Sequence, residues 1–126
     1  MPTDTRKITG IRGEEEAARF LARSGLAIVD RNVRTRVGEI DLVAKEGKTL
    51  VFVEVKTRKV IEGDPPQAAV NVRKQNRLGK LAHGYLKSKR MRETPCRFDV
   101  VAVIVNDDGG VKAIRHIPNA FSVAPW

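Results

Sequence analysis

A chain of 126 residues with a formal net charge of +9, from 24 Lys and Arg against 15 Asp and Glu, reads as one domain that favours polyanions. Nucleic acid comes first among such partners and an anionic membrane second; the membrane reading is the weaker and no membrane partner is expected, since no apolar run approaches the ~20 residues of a spanning helix. Hydrophobic residues at 41% and charged residues at 31% exclude a disordered chain. A single cysteine, Cys96, rules out an internal disulfide, and the polar amino terminus lacks the apolar core of a secretory signal, so the expected compartment is the cytoplasm. Two histidines and one cysteine are too few for a zinc site of the usual kind, and any metal is expected to be held by oxygen.

No internal repeat or linker interrupts the chain, which divides into an expected flexible arm (1–10), a single domain (11–121) and a tail (122–126). A helix is predicted over residues 14–24, with Gly25 placed to end it. Ala17, Ala18 and Leu21 form its apolar stripe and Phe20 flanks it. Of three successive acids, Glu14 lies on that stripe while Glu15 and Glu16 point away, although all three also complement the positive helix start. A first strand is predicted at 26–29, and residues 32–37 lead into two further strands.

Those two strands are the most informative part of the sequence. Gly38-Glu39-Ile40-Asp41-Leu42-Val43 and Val51-Phe52-Val53-Glu54-Val55-Lys56-Thr57-Arg58 place acids inside apolar, β-branched runs, where an unpaired carboxylate costs several kcal/mol or more. Lys45-Glu46-Gly47-Lys48 between them has hairpin chemistry. With Gly47 and Lys48 central, Asp41 lies opposite Glu54 and Glu39 opposite Lys56; with Glu46 and Gly47 central, Asp41 pairs with Phe52. Either register puts Glu39, Asp41, Glu54 and Lys56 on one face and Ile40, Leu42, Val53 and Val55 on the other, whereas a three-residue turn would not.

Beyond Arg58, residues 62–66 form a loop, and a second helix is predicted over 71–87 from the spacing of Leu78, Leu81, Ala82, Tyr85 and Leu86, a stripe that Lys74 and Gln75 continue backwards. Strands over 97–105 and 111–117 flank a turn at 106–110. The order α-β-β-β-α-β-β predicts an α/β domain with a mixed central sheet flanked by helices.

Several carboxylates on one wet face repel unless a cation neutralises them, and magnesium does so with one or two carboxylates plus water and substrate phosphate. Asp41 and Glu54 are the candidate ligands, with the Val55 carbonyl beside them; Lys56 can stabilise charge on a phosphorus, and Glu14 approaches from the helix. The bland alternative is a hairpin with surface ion pairs joining Asp41 or Glu39 to Lys56.

The chain resembles the YraN-like family of bacterial proteins, whose fold is similar to that of the Holliday-junction resolvases of the PD-(D/E)xK nuclease superfamily. The matching residues are Gly13-Glu14 with Ala17, Asn32-Val33-Arg34, Gly38-Glu39-Ile40-Asp41-Leu42, Phe52-Val53-Glu54-Val55-Lys56-Thr57-Arg58, Lys74-Gln75 with Leu78, Tyr85-Leu86, Arg97-Phe98-Asp99-Val100 and Asn119-Ala120-Phe121. The resemblance implies a restriction-endonuclease-like fold, metal ligation by Asp41 and Glu54, a catalytic lysine at Lys56, a helix glutamate at Glu14, and Mg²⁺ or Mn²⁺ as cofactor. Ile40 stands where the superfamily's name places a proline. The implied activity is metal-dependent DNA cleavage, extending to branched or Holliday-junction-like DNA, by paired copies of the chain. The alternative is a nucleic-acid-binding protein of nuclease-like fold that does not cut, or cuts only with a partner.

Around this centre, Glu39 and Gln75 are candidate supporting residues, and Arg34, Arg36, Arg58, Arg73, Lys74, Arg77 and Lys80 are candidate contacts for a nucleic-acid backbone. Asp99 is expected to be structural, pairing with Arg97 or a neighbouring strand's backbone, and neither His83 nor His116 is a credible metal ligand. Phe121, Val123 and Trp126 are expected to offer apolar contacts between copies. Only 5% aromatic residues argue against a base-stacking single-strand binder.

Overall fold

Seven elements follow in the order α1 (Thr5–Arg23), β1 (Ala27–Arg34), β2 (Glu39–Glu46), β3 (Thr49–Lys59), α2 (Val72–Ser88), β4 (Cys96–Val105) and β5 (Val111–Phe121). They are seen in a computed structural model that describes residues 5–59 and 70–123. The expected α-β-β-β-α-β-β order is the observed one. The strands form one mixed sheet, ordered β1-β2-β3-β4-β5, in which only β3 and β4 run parallel. A parallel step needs a crossover, and the chain makes it through α2.

The helices cover opposite faces. On one, Ala17, Ala18 and Leu21 of α1 pack with Leu42, Ala44, Val51, Val53, Val101 and Val103. On the other, Leu78, Leu81, Ala82 and Leu86 of α2 pack with Val43, Leu50, Phe52, Phe98 and Val100. Phe52 stacks on Phe98, which stacks on Phe121, and Tyr85 meets Phe52 edge-on. No helix among the described residues is long and apolar enough to cross a membrane.

Helix α1 begins at Thr5, inside the segment expected as an arm, and ends as expected: Gly25, at φ 100°, closes it with bonds from Gly25 N to Ala22 O and from Leu26 N to Leu21 O. In α2 the side chain of Asn71 caps the first turn by accepting from Lys74 N at 2.9 Å. Strand β1 is one element instead of a strand and a lead-in, bulged between Ile28 and Asp30, with Asn32 at φ 49°. Strand β5 runs past Ile117 to Phe121 because a sheet edge tolerates Pro118, which would break an interior strand. The predicted loop at 62–66, Trp126 and residues 1–4 lie outside the described residues.

In the β2–β3 hairpin Glu46 pairs with Thr49 and Lys45 with Leu50, so Gly47 and Lys48 are the central turn residues. The ladder runs to Leu42 and Val53 and stops. Beyond it Ile40 joins the α2-side cluster, whereas Leu42, Val53 and Val55 belong to the α1 side. The simple alternation that would put Ile40 with Leu42 therefore fails where β2 leaves β3. Across from it in β1, Asn32 at φ 49° stands between the Arg31–Leu42 and Val33–Ile40 pairs.

Candidate active site

The parting of β2 from β3 leaves the Val55 N–H without a ladder partner, and the Asp41 carboxylate takes it: Val55 N donates to Asp41 Oδ2 at 2.8 Å. A buried backbone donor demands such an acceptor, and this bond fixes the Asp41 side chain at the mouth of the split. Continuing the hairpin register one step beyond Leu42 and Val53 sets Asp41 opposite Glu54, the first of the two registers anticipated from sequence.

Glu14 arrives from α1 because Gly13 lets that helix approach β3 closely. A Cβ at Gly13 would collide with Thr57 Oγ1. The carboxylate oxygens of Glu14, Glu39 and Asp41 consequently lie within 4.8 Å of one another. Asn32, with its amide nitrogen turned toward them, donates to Glu39 Oε1 and Glu14 Oε2 at 2.8 Å each. Arg34 Nε stands 3.9 Å from Glu39 Oε2.

Glu54 is the buried member, only 6% exposed. Lys56 Nζ lies 3.7 Å from its Oε1, and Lys74 Nζ, carried on the capped first turn of α2, forms a direct ion pair with the same oxygen. Five elements thus converge: α1 with Glu14, β1 with Asn32 and Arg34, β2 with Glu39 and Asp41, β3 with Glu54 and Lys56, and α2 with Lys74.

The electrostatics record this crowding. Burial, and then the negative charge of Glu54, push the Asp41 carboxyl up to about 8, against the pull of the Val55 N–H. Burial also raises Glu14, aided by Glu39 and Glu54 and opposed by Arg34. Burial lowers Lys56, as do its bond to Lys74 and the charge of that ammonium. On Lys74 burial is the largest single influence and disfavours the charge, but the bonds to Glu54 and Lys56 and the negative charges of Glu54 and Asp41 together outweigh it, so its ammonium form is favoured. A protonated Asp41 and the Lys74 ammonium together offset two of the four acids' charges. The all-oxygen donor set fits a hard divalent cation.

The anticipated face of Glu39, Asp41, Glu54 and Lys56 is assembled, but unevenly. The tight three-carboxylate group is Glu14, Glu39 and Asp41, while Glu54 is turned toward the two lysines. Lys74, anticipated only as a phosphate contact, is inside the site. Gln75, anticipated as a supporting residue, spends its amide on the Val70 carbonyl at 2.9 Å. Arg36, Arg73, Arg77 and Lys80 are exposed and Arg58 is half-buried. The stem of Arg77 lies over Gly38, at whose φ of 151° a Cβ would come within 3.3 Å of Arg77 Cδ. Asn32 was not anticipated in the site; its signal is an amide residue in a strand where its left-handed conformation is best tolerated by Asn.

Elsewhere the buried Asp99 is structural, as expected. It accepts from Arg97 Nε at 3.0 Å and Asn119 N at 2.8 Å, and lies 2.7 Å from His116 Nε2. Phe121 and Val123 are half-buried and pack against this chain's own core, Phe121 on Phe98 and Val123 against Gly79.

Residues 13–103 match the family described as "Uncharacterised protein family UPF0102". A UPF0102 protein of Geobacter sulfurreducens is 48% identical over 118 residues, covering 94% of this chain and 91% of its own. One from Pelotomaculum thermopropionicum is 47% identical, with coverage of 94% and 98%, and one from Symbiobacterium thermophilum is 51% identical over 112 residues, with coverage of 89% and 94%. Among solved structures, Pyrococcus furiosus SfsA in complex with Ca²⁺ aligns over 89% of this chain and 63% of its own, at 18% identity and a TM-score of 0.42, a likeness too loose to carry an argument. The family match spans every acid and both lysines of the site, and with identities near one half across almost the whole length the chain belongs to the UPF0102 (YraN-like) family.

Proposed function

We propose that this protein is a divalent-cation-dependent nuclease that hydrolyses phosphodiester bonds in DNA, with branched DNA as its preferred form. The observation that carries the reading is the convergence of Glu14, Glu39 and Asp41 within 4.8 Å, beside a buried Glu54 and a lysine with lowered basicity. Such crowding costs the fold stability and contributes nothing to packing, so it points to chemistry. The fit of a metal rests on the donor set: hard oxygens whose mutual repulsion is left to be relieved by a proton on Asp41. Asp41, Glu54 and the Val55 carbonyl would hold Mg²⁺ or Mn²⁺, with Glu39 close at hand and Glu14 acting through water. The bound cation supplies Lewis-acid stabilisation of negative charge on the phosphate.

The chain's own groups do the rest. Lys56, favouring the neutral amine more than a free lysine does, accepts a proton from the attacking water as its oxygen bonds to phosphorus, and a proton passes to the departing sugar oxygen as the P–O bond breaks. Asn32 holds Glu14 and Glu39 in place. Lys74 holds Glu54 in an ion pair, and its ammonium is placed to meet an incoming phosphate. That same ion pair favours a second reading, a nucleic-acid-binding protein whose cutting waits for a partner, because it keeps Glu54 engaged.

Cleavage of junction, flap, nicked and linear DNA, with and without Mg²⁺ or Mn²⁺ and with Glu54→Ala as control, tests the proposal. Metal-dependent cutting lost in Glu54→Ala is the expected result. Tight binding of DNA with no cutting in either metal would give the second reading.

A further inference from the structure

At the far end of α2 the molecule has a second built feature. A cleft of about 900 Å³ is lined by Lys45 and Lys48 of the hairpin, by Lys87 of α2, and by Arg90, Arg92 and Glu93 of the connection to β4, with Met91, Thr94 and Pro95 completing it. Five cations face one carboxylate, and all five are exposed. Among the described residues none of the five forms an ion pair, and Glu46, adjacent to Lys45 in sequence, is bonded to Arg97 at 2.8 Å. The walls are fixed: Leu50 N donates to Pro95 O at 2.9 Å and Thr94 N to Met91 O at 3.0 Å.

The two helix ends supply an internal comparison. Helix α2 closes as α1 does, with Met91 N bonded to Leu86 O and Arg90 N to Lys87 O, so Arg90 occupies the position that Gly25 holds in α1. Its φ of 57° is one that glycine adopts freely and an arginine does not. A strained arginine kept where glycine is favoured, and in a basic cleft, points to a use for its charge. Complementing the helix dipole accounts for Lys87 and Arg90 at the end of α2 but not for Lys45 and Lys48, which come from another element.

Between this cleft and the acidic centre the helix carries Arg73, Arg77, Lys80 and Lys87 at three- and four-residue spacing, with the exposed Gly84 completing the row. From Lys74 to Lys87 the helix rises roughly 20 Å, about the length of six base pairs.

We infer that the Lys45–Lys48–Lys87–Arg90–Arg92 cleft is a phosphate-binding anchor that grips the backbone of a DNA duplex about six base pairs from the phosphate held at the acidic centre. The inference rests on the proposed nuclease function for what lies at the other end of the row, and adds a separate binding site to it.

Binding of a fluorescent duplex of about two helical turns is measured by anisotropy over a range of salt in EDTA, where nothing is cut. Lys48→Gln with Arg92→Gln lowers affinity on the order of tenfold and reduces the slope of log affinity against log salt by about 2. Arg90→Gly weakens binding several-fold while raising Tm by a few degrees, opposite signs that a merely structural arginine would not give. Wild-type affinity and slope in these variants, with Tm confirming that they fold, would overturn the anchor, as would a preference of the cleft for anionic phospholipid vesicles over duplex. The two proposals fail separately. Cleft-dependent binding without cutting in any metal keeps the anchor and removes the nuclease, and cutting by a protein whose cleft variants bind normally does the reverse.

Discussion

At pH 7 the Asp41 carboxyl, pushed up to about 8, keeps a proton that an unfolded aspartate, with a value near ~3.9, has already released. Between those values the folded state binds more protons than the unfolded one, so stability of the metal-free protein falls as pH rises from about 4 to about 8. Burial raises Glu14 too and adds a contribution of the same sign. Thermal denaturation in EDTA across this window should show a falling Tm that Asp41→Asn largely flattens, and that variant should be the more stable at pH 8. An unchanged pH profile in Asp41→Asn would disprove the shared-charge account. Lys56 permits a different kind of test. Its lowered basicity suits it to the reaction more than to holding DNA, because only interactions strengthened in the transition state raise the rate. Lys56→Ala should lower the cleavage rate at saturating DNA by several tens-fold or more, with little change in affinity. Normal cutting at saturation would remove Lys56 from the chemistry.

The elements show why parts of this site were legible in the sequence and parts were not. Acids set within β-branched runs identified β2 and β3, and their period-two spacing brought Asp41, Glu54 and Lys56 together. The register stayed open because Gly47 suits either turn, and only the observed ladder chooses. The crossing of Ile40 to the α2 side was not legible, since strict alternation along β2 puts Ile40 with Leu42. Lys74 and Gln75 are neighbours on the same predicted stripe, and which one enters the site follows from the phase set by the Asn71 cap. Gly13 is the clearest case of an element positioned by one residue. Gly13→Ala drives a Cβ into Thr57 Oγ1 and must push α1 off the sheet, at a cost of about 1–3 kcal/mol, carrying Glu14 with it. Thr57→Ala removes the colliding oxygen, so the double variant should recover part of the lost stability. Denaturant unfolding of the four proteins measures that coupling, and simple additivity would show that the close approach does not set the helix.

For the whole molecule, one centre per chain sets the limit on what a single copy can do. Cutting two strands of a junction in concert requires two centres, and two copies related by a two-fold axis supply them. Phe121 and Val123 pack on their own core, and among the described residues Val29, Val37 and Val72 are the large exposed hydrophobics. Among the described residues, these three scattered valines do not make the extended apolar patch of a permanent dimer. Pairing that depends on DNA fits the charge better: two chains of net charge +9 repel, and a four-way junction between them neutralises both. Sedimentation at micromolar concentration should therefore show a monomer alone and two copies per junction when DNA is added, with junction binding tighter than linear duplex and strongly weakened by salt. A single copy on the junction, with equal affinity for linear duplex, would leave the metal centre intact and remove the preference for branched DNA.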